Sequence, residues 1–165
     1  MGPVRPQPVG PGQESVWDYP RPPRAELSRR TVTVVLGGVE ICQTTRALRV
    51  LETSHPPVWY LPREDWLPGS LQPAQGSSFC EWKGVATYLD VVAGGRRAEQ
   101  AAWTYLDPVP EFAVLRGAVA VYPGHMDSCT VDGELVRSQE GGFYGGWVTS
   151  DVVGPFKGAP GSRGW

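Results

Sequence analysis

The 165-residue sequence predicts an all-β, mainly antiparallel fold: two sheets built from hairpins and partly closed into a barrel, with one or two short helices. Three observations predict it. Short apolar runs alternate with polar residues at the period of two that a half-buried strand requires. The pairs Gly37-Gly38, Gly94-Gly95 and Asp132-Gly133 interrupt them and suit tight turns with positive φ. Seven Trp and a hydrophobic fraction of 41% supply more bulky apolar surface than a disordered chain carries.

The elements follow in order. "TVTVVLGGVEICQTT" (31–45) alternates Val32 and Val34 with Thr31 and Thr33 and turns at Gly37-Gly38, which makes it the first hairpin. "RALRVLE" (46–52) fits a helix stripe through Ala47, Leu48 and Leu51, or a strand face through Leu48 and Val50. Its shortness and the lack of a helix stop select a strand ending at Glu52. Ser54, His55 and two prolines then read as a turn. A short apolar strand covers 58–61, and Pro62 starts a helical turn over "REDW". "LPGSLQPAQGSS" (67–78) consists of turn residues and reads as a loop. The second hairpin spans 79–107, with Cys80 at the start of its first strand and Gly94-Gly95 at its tip. "PVPEFAVLRG" (108–117) reads as the best helix, with prolines at its start, Phe112 and Leu115 three apart, and Gly117 at its exit. "AVAVYP" is a strand, and "SCTVDGELV" a third hairpin.

The flanks differ from this body, so the sequence divides into an extended arm (1–28), a β-rich core domain (29–137) and a Gly- and aromatic-rich extension (138–165). Residues 1–24 hold seven prolines and three glycines, which favours an extended, polyproline-like backbone. Trp17 and Tyr19 are too apolar to stay in water and are expected to dock on the body or on a second subunit. The tail from Gly141 has eight glycines in 25 residues, yet it carries Phe143, Tyr144, Trp147, Phe156 and Trp165. It reads as an ordered wrap anchored by rings.

Composition excludes several function classes. A net charge of −2 does not suit a nucleic-acid surface. No 18-residue apolar run suits a membrane helix, and "MGPVRPQPVGPGQ" has no apolar run for a secretory signal. Met1-Gly2 opens like a myristoylation site, but Pro6 stands where Ser or Thr is favoured. A cytoplasmic location is the expectation. Cys42, Cys80 and Cys129 are odd in number and widely spaced, so they suggest free thiols rather than a disulfide framework or a zinc site. No metal and no cofactor are expected.

Catalytic motifs are equally sparse. "GGFYGG" lacks the Lys of a phosphate loop, and no D-x-D follows the "PGS" at 68–70 to hold nucleotidyltransferase metals. No G-x-S-x-G exists, and Ser54 and His55, as sequence neighbours on a strand, would face opposite ways. Cys80, three residues before Lys83, is the better nucleophile candidate: a nearby ammonium favours thiolate, and Glu52 or His55 could approach from an adjacent strand. The plain alternative is a small apolar residue beside a solvated lysine. Trp59, Tyr60, Trp82, Tyr88, Trp103, Tyr105 and Tyr122 all fall on predicted strands. They suit either the walls of a small-molecule pocket or the core itself.

These segments also carry a resemblance. "TTRALRVLETSHPPVWYLPREDW", "CEWKGVATYLDV", "AAWTYLDPVPEF" and "GAVAVYPGHMD", in this order, resemble the domain of unknown function 427 family over about residues 31–127. Its pattern maps onto Glu52, the Pro57 to Pro62 segment, Cys80 with Lys83-Gly84, Ala102 and Tyr105 with Pro108, and Tyr122. Trp59 stands where the family often has a second Tyr. The resemblance implies a compact β-rich fold without an obligatory metal, and no particular reaction.

The leading expectation is a small-molecule binding module, its pocket lined by Trp59, Tyr60, Tyr88, Trp103 and Tyr105, with Glu52, Cys80 and Lys83 as polar members. The alternatives are an enzyme using Cys80, tuned by Lys83, Glu52 or His55, and a structural protein acting as a homodimer through its aromatic flanks.

Overall fold

The computed structural model describes residues 3–165; the Met1-Gly2 start weighed above for myristoylation lies outside them. Among the described residues the strands are β1 (Glu14–Ser15), β2 (Arg24–Ser28), β3 (Val32–Leu36), β4 (Val39–Thr44), β5 (Ala47–Leu51), β6 (Val58–Tyr60), β7 (Leu71–Cys80), β8 (Gly84–Ala93), β9 (Arg96–Thr104), β10 (Val119–Val121), β11 (Ser128–Val131), β12 (Glu134–Leu135), β13 (Arg137–Ser138), β14 (Trp147–Val148) and β15 (Val152–Val153). The fold is all-β, and its main sheets are antiparallel. Among the described residues no helix is long and apolar enough to cross a membrane.

The three hairpins predicted from Gly-Gly and Asp-Gly turns form as β3–β4, β8–β9 and β11–β12. Two of their tips touch. A Cβ on Gly37 would lie 2.3 Å from the Ala93 carbonyl oxygen, and one on Gly94 would lie 2.0 Å from the Gly37 carbonyl oxygen. Only glycine permits that backbone approach.

One sheet runs β12-β11-β3-β4 and another β10-β9-β8-β7. The short sheet β2-β5-β6 extends the second, because Leu61 and Val119 exchange both backbone hydrogen bonds, at 2.8 and 2.9 Å. The sheets stop short of a closed barrel and pack in a sandwich-like arrangement. Between the layers lie Val32, Val34, Leu36 and Ile41 from one side and Trp59, Leu61, Val91, Val119 and Val121 from the other, with Trp147 filling the gap. Burial of such side chains, at roughly 1.5–3 kcal/mol each, is the main stabilising term.

Three elements differ from the sequence reading. Residues 71–78, read as a loop, belong to β7. It is an edge strand, where the missing N–H of Pro73 costs no ladder bond, and a bulge between Pro73 and Ser77 absorbs the irregular sequence. Cys80 therefore ends a strand instead of opening one, and Glu81 to Lys83 form the turn into β8. The helix expected over 108–117 is a 3-10 segment, Pro110–Leu115, kinked at Phe112. Residues three apart eclipse in a 3-10 helix, so the Phe112–Leu115 spacing fits this tighter form. The third difference is β2, within the stretch read as the arm, which pairs with β5 from Arg24↔Leu51 to Ser28↔Ala47.

Both flanks dock on the body of their own chain. Trp17 donates its indole N–H to the Pro155 carbonyl at 2.8 Å and meets Trp165 edge to face at 5.3 Å. The buried Arg49 guanidinium bridges Glu14 and Glu26, tying β1 and β2 to β5. The strands β13, β14 and β15 carry the tail across the sandwich, and this places residues 143–145 over one sheet face.

Candidate functional site

The period of two along the strands builds the site. Val58 and Tyr60 of β6, Ala86 and Tyr88 of β8, Trp103 and Tyr105 of and just after β9, and Tyr122 after β10 are each two residues apart or in cross-strand register. They therefore share one sheet face. Tyr88 lies directly opposite Trp103, and Ala120 lies opposite Trp103 on the other side. That face turns away from the main core and forms the floor of a cavity of about 340 Å³. Its walls are the β7–β8 turn with Cys80, Trp82 and Lys83, the 52–55 turn with Glu52 and His55, and the tail with Phe143, Tyr144, Gly145 and Lys157.

Of the residues predicted from sequence, Glu52, His55, Tyr60, Cys80, Lys83, Tyr88, Trp103 and Tyr105 line this one cavity. Trp59 does not, and the expectation that it does is corrected. As the strand neighbour of Tyr60 it faces the opposite way, into the sandwich core, where it stacks on Trp147 with ring centroids 6.0 Å apart.

The rings on the floor are mutually fixed. Trp103 donates its indole N–H to the Tyr60 hydroxyl at 3.2 Å, and its ring tilts against Tyr122 at 4.7 Å. Tyr60 also meets Tyr105 at 6.2 Å. Burial pushes the phenols of Tyr60 and Tyr105 above the ordinary tyrosine value, so both keep their hydroxyl protons at neutral pH.

Lys83 is unusual. It is only 9% exposed, yet among the described residues it makes no ion pair. Its ammonium lies 6.0 Å from the centre of the Tyr105 ring and 5.9 Å from that of Phe112, a cation–π arrangement, and beside the Cys80 sulfur. Burial alone would lower its pKa. Tyr60 and Cys80, as they ionise, and after them Glu52 outweigh burial, so the ammonium keeps its proton through the neutral range.

His55 sits in the turn predicted for it, closed by its N–H to the Glu52 carbonyl at 3.0 Å, but its imidazole reaches the cavity. Burial, reinforced by the positive charges of Lys157, Arg21 and Lys83, brings its pKa down to about 4. Gln139 fixes the tautomer. Its Nε2 donates to the Lys157 carbonyl at 2.7 Å, and its Oε1 accepts the Gly146 N–H at 3.1 Å. That orientation leaves an Nε2 hydrogen for His55 Nδ1, 3.2 Å away, which must accept. The imidazole proton therefore sits on Nε2, facing Glu52 Oε2 at 3.8 Å. Glu52 itself lies 3.6 Å from Arg21 of the arm. Ser54 faces away, with its hydroxyl buried, and plays no part in the cavity.

Gln139, Tyr144, Gly145 and Lys157 escape a reading of the sequence because they come from the tail. The one signal is Gly145: a Cβ there would lie 2.1 Å from Cη2 of Trp103, so the tail backbone rests on the indole. Among the described residues no group of three or more His, Cys, Asp or Glu is placed to hold a metal. Cys42 and Cys129 are buried in the core.

No curated protein matches the sequence. A family model described as a domain of unknown function matches residues 24–132, a span that begins with β2 and runs through every strand of the cavity floor. The chain belongs to the domain of unknown function 427 family.

Proposed function

We propose that this protein is a small-molecule binding module. The observation that carries the reading is the cavity itself, which has one sheet face of Tyr60, Tyr88, Trp103, Tyr105 and Tyr122 as floor and a few polar groups converging at its edge. Aromatic walls with sparse, oriented polar groups are the chemistry of ligand sites, and about 340 Å³ falls at the small end of their range. The same face could have been filled by side chains, as the opposite face is by Trp59 and Trp147. A fragment screen by thermal shift and by ligand-observed NMR tests this reading. Fragments are expected to bind and to compete with one another; a screen in which none perturbs Trp103 or Tyr122 would sink it.

A second reading has a specific observation in its favour. Cys80, Lys83 and His55 share the cavity, as a thiol-dependent enzyme would need. In that case Cys80 is the nucleophile, Lys83 supplies positive charge, and the neutral His55 is placed to exchange a proton. Electrophile labelling of the native protein decides it: Cys80 modified no faster than a small free thiol removes the basis for catalysis.

A further inference from the structure

The cavity contains a largely buried ammonium that has no carboxylate partner among the described residues. Lys83 is 9% exposed, its ammonium faces the Tyr105 and Phe112 rings, and no carboxylate of the described residues comes within ion-pair distance. Taking an ammonium out of water is costly unless it is paired, and ring faces compensate only in part. The other charged groups at the cavity are engaged or wet. Glu52 is met by Arg21 at 3.6 Å, Lys157 reaches the Trp165 oxygen at 3.2 Å, and Glu81 is exposed at the mouth. His55 adds a second unfilled donor, because Gln139 holds its proton on Nε2, where no acceptor of the described residues lies within hydrogen-bonding distance.

Resting on the reading of this cavity as a small-molecule site, we propose that its ligand is a singly charged organic anion with a flat apolar body, an aryl carboxylate in class. The carboxylate seats on the Lys83 ammonium with the His55 Nε2–H as a second donor, and the ring lies among Tyr88, Trp103 and Tyr122. One buried cation calls for one negative charge, since Glu52 and Glu81 border the same space and repel a second. Lys83 is held protonated, which suits a counter-ion and not an amine nucleophile.

Benzoate, benzamide and benzylamine share a shape and differ in charge. Each is titrated into the full chain, with lysine side-chain and Trp indole resonances followed by NMR. Benzoate is expected to bind about tenfold or more tightly than either of the others, as a charge-assisted contact in a desolvated site allows. It should shift the Lys83 signal more than that of Lys157. The Lys83→Met variant should lose the preference, and Lys83→Arg should keep most of it. Should Lys83→Met fail to fold, the Lys83 shift in the unaltered chain still decides. Benzamide or benzylamine binding as tightly as benzoate, or benzoate leaving the Lys83 signal unmoved, overturns the anion assignment while the binding module stands. If none of the three binds and the neutral fragments above fail as well, both fall together.

Discussion

Acidification through the range in which histidines normally titrate is expected to destabilise this protein through one residue, His55. Its imidazole is 15% exposed and accepts the Gln139 amide hydrogen at Nδ1, so a second ring proton would point at a donor. Lys157, Arg21 and Lys83 add repulsion; Glu52, at 3.8 Å, favours the charged ring but already faces Arg21. The result is a pKa brought from 6.5 down to about 4. Because the folded value lies below the unfolded one, the unfolded chain takes up the proton first. The stabilisation is complete above pH ~6.5 and is lost progressively as pH falls toward ~4, levelling off below that. At ~1.4 kcal/mol for each pH decade between those values, the full effect is about 3 kcal/mol, and about 2 kcal/mol is already lost by pH ~5. Urea denaturation of the natural chain and of His55→Gln across this range isolates the contribution, since glutamine does not titrate. The two stabilities should converge by about 2 kcal/mol between pH ~7.5 and pH ~5. His55 and His125 are the chain's two histidines, so proton NMR can follow each imidazole separately. A His55 midpoint above pH ~6, or two stability curves that stay parallel, would refute the reasoning.

Other outcomes follow from the same geometry. Gly145→Ala places a Cβ against the Trp103 indole, and overpacking of this kind should cost about 1–3 kcal/mol and alter Trp fluorescence; an unchanged melting temperature would show that the tail does not rest there. Trp147→Ala empties a fully buried site beside Trp59 and should lower stability by about 3–5 kcal/mol in denaturant, whereas a loss below about 1 kcal/mol would contradict its place in the core. Burial pushes the Cys42 and Cys129 thiols up to about 12, so alkylation of the native protein, read by peptide mass spectrometry, should reach Cys80 first and these two only on unfolding; equal rates at all three would count against the packing described.

The sandwich was legible where local chemistry decides structure. Gly37-Gly38, Gly94-Gly95 and Asp132-Gly133 each demand a conformation that few other residues adopt, and each hairpin follows from them. The elements that differed depend on distant partners. The run 67–78 looks like a loop because Gly69, Pro73 and Gly76 are turn residues, and residues 71–78 become a strand only because β8 offers them a free edge. Barrel closure depends on whether sheet edges meet across the molecule, and no local signal reports that. The Trp59 error is of another kind. Adjacent strand residues face opposite sides, so Trp59 and Tyr60 could not both line one cavity; the period of two already stated this.

The tail explains why the cavity, and not only the fold, resisted reading. Facing strands supply the rings, and those rings fall two apart in the sequence. What makes the surface a cavity is a second wall from residues 139–157, more than thirty positions from Trp103 and without a periodic pattern. The family match ends at residue 132, before Gln139, Tyr144, Gly145 and Lys157. The floor therefore lies within the family domain, whereas the lock on the His55 tautomer and the cover over Trp103 lie in the extension. A chain sharing only the family domain would present the same aromatic floor with its mouth open and with His55 free to choose its tautomer. Replacing Gln139→Leu and Lys157→Met together, which leaves Trp147 in the core, should thus raise the His55 midpoint from about 4 toward 6.5, because the Lys157 charge that helps depress it is gone and Nδ1 no longer faces an amide donor. If the folded double variant kept the low midpoint, burial in the 52–55 turn alone would be responsible, and the tail would be cover without control of the site.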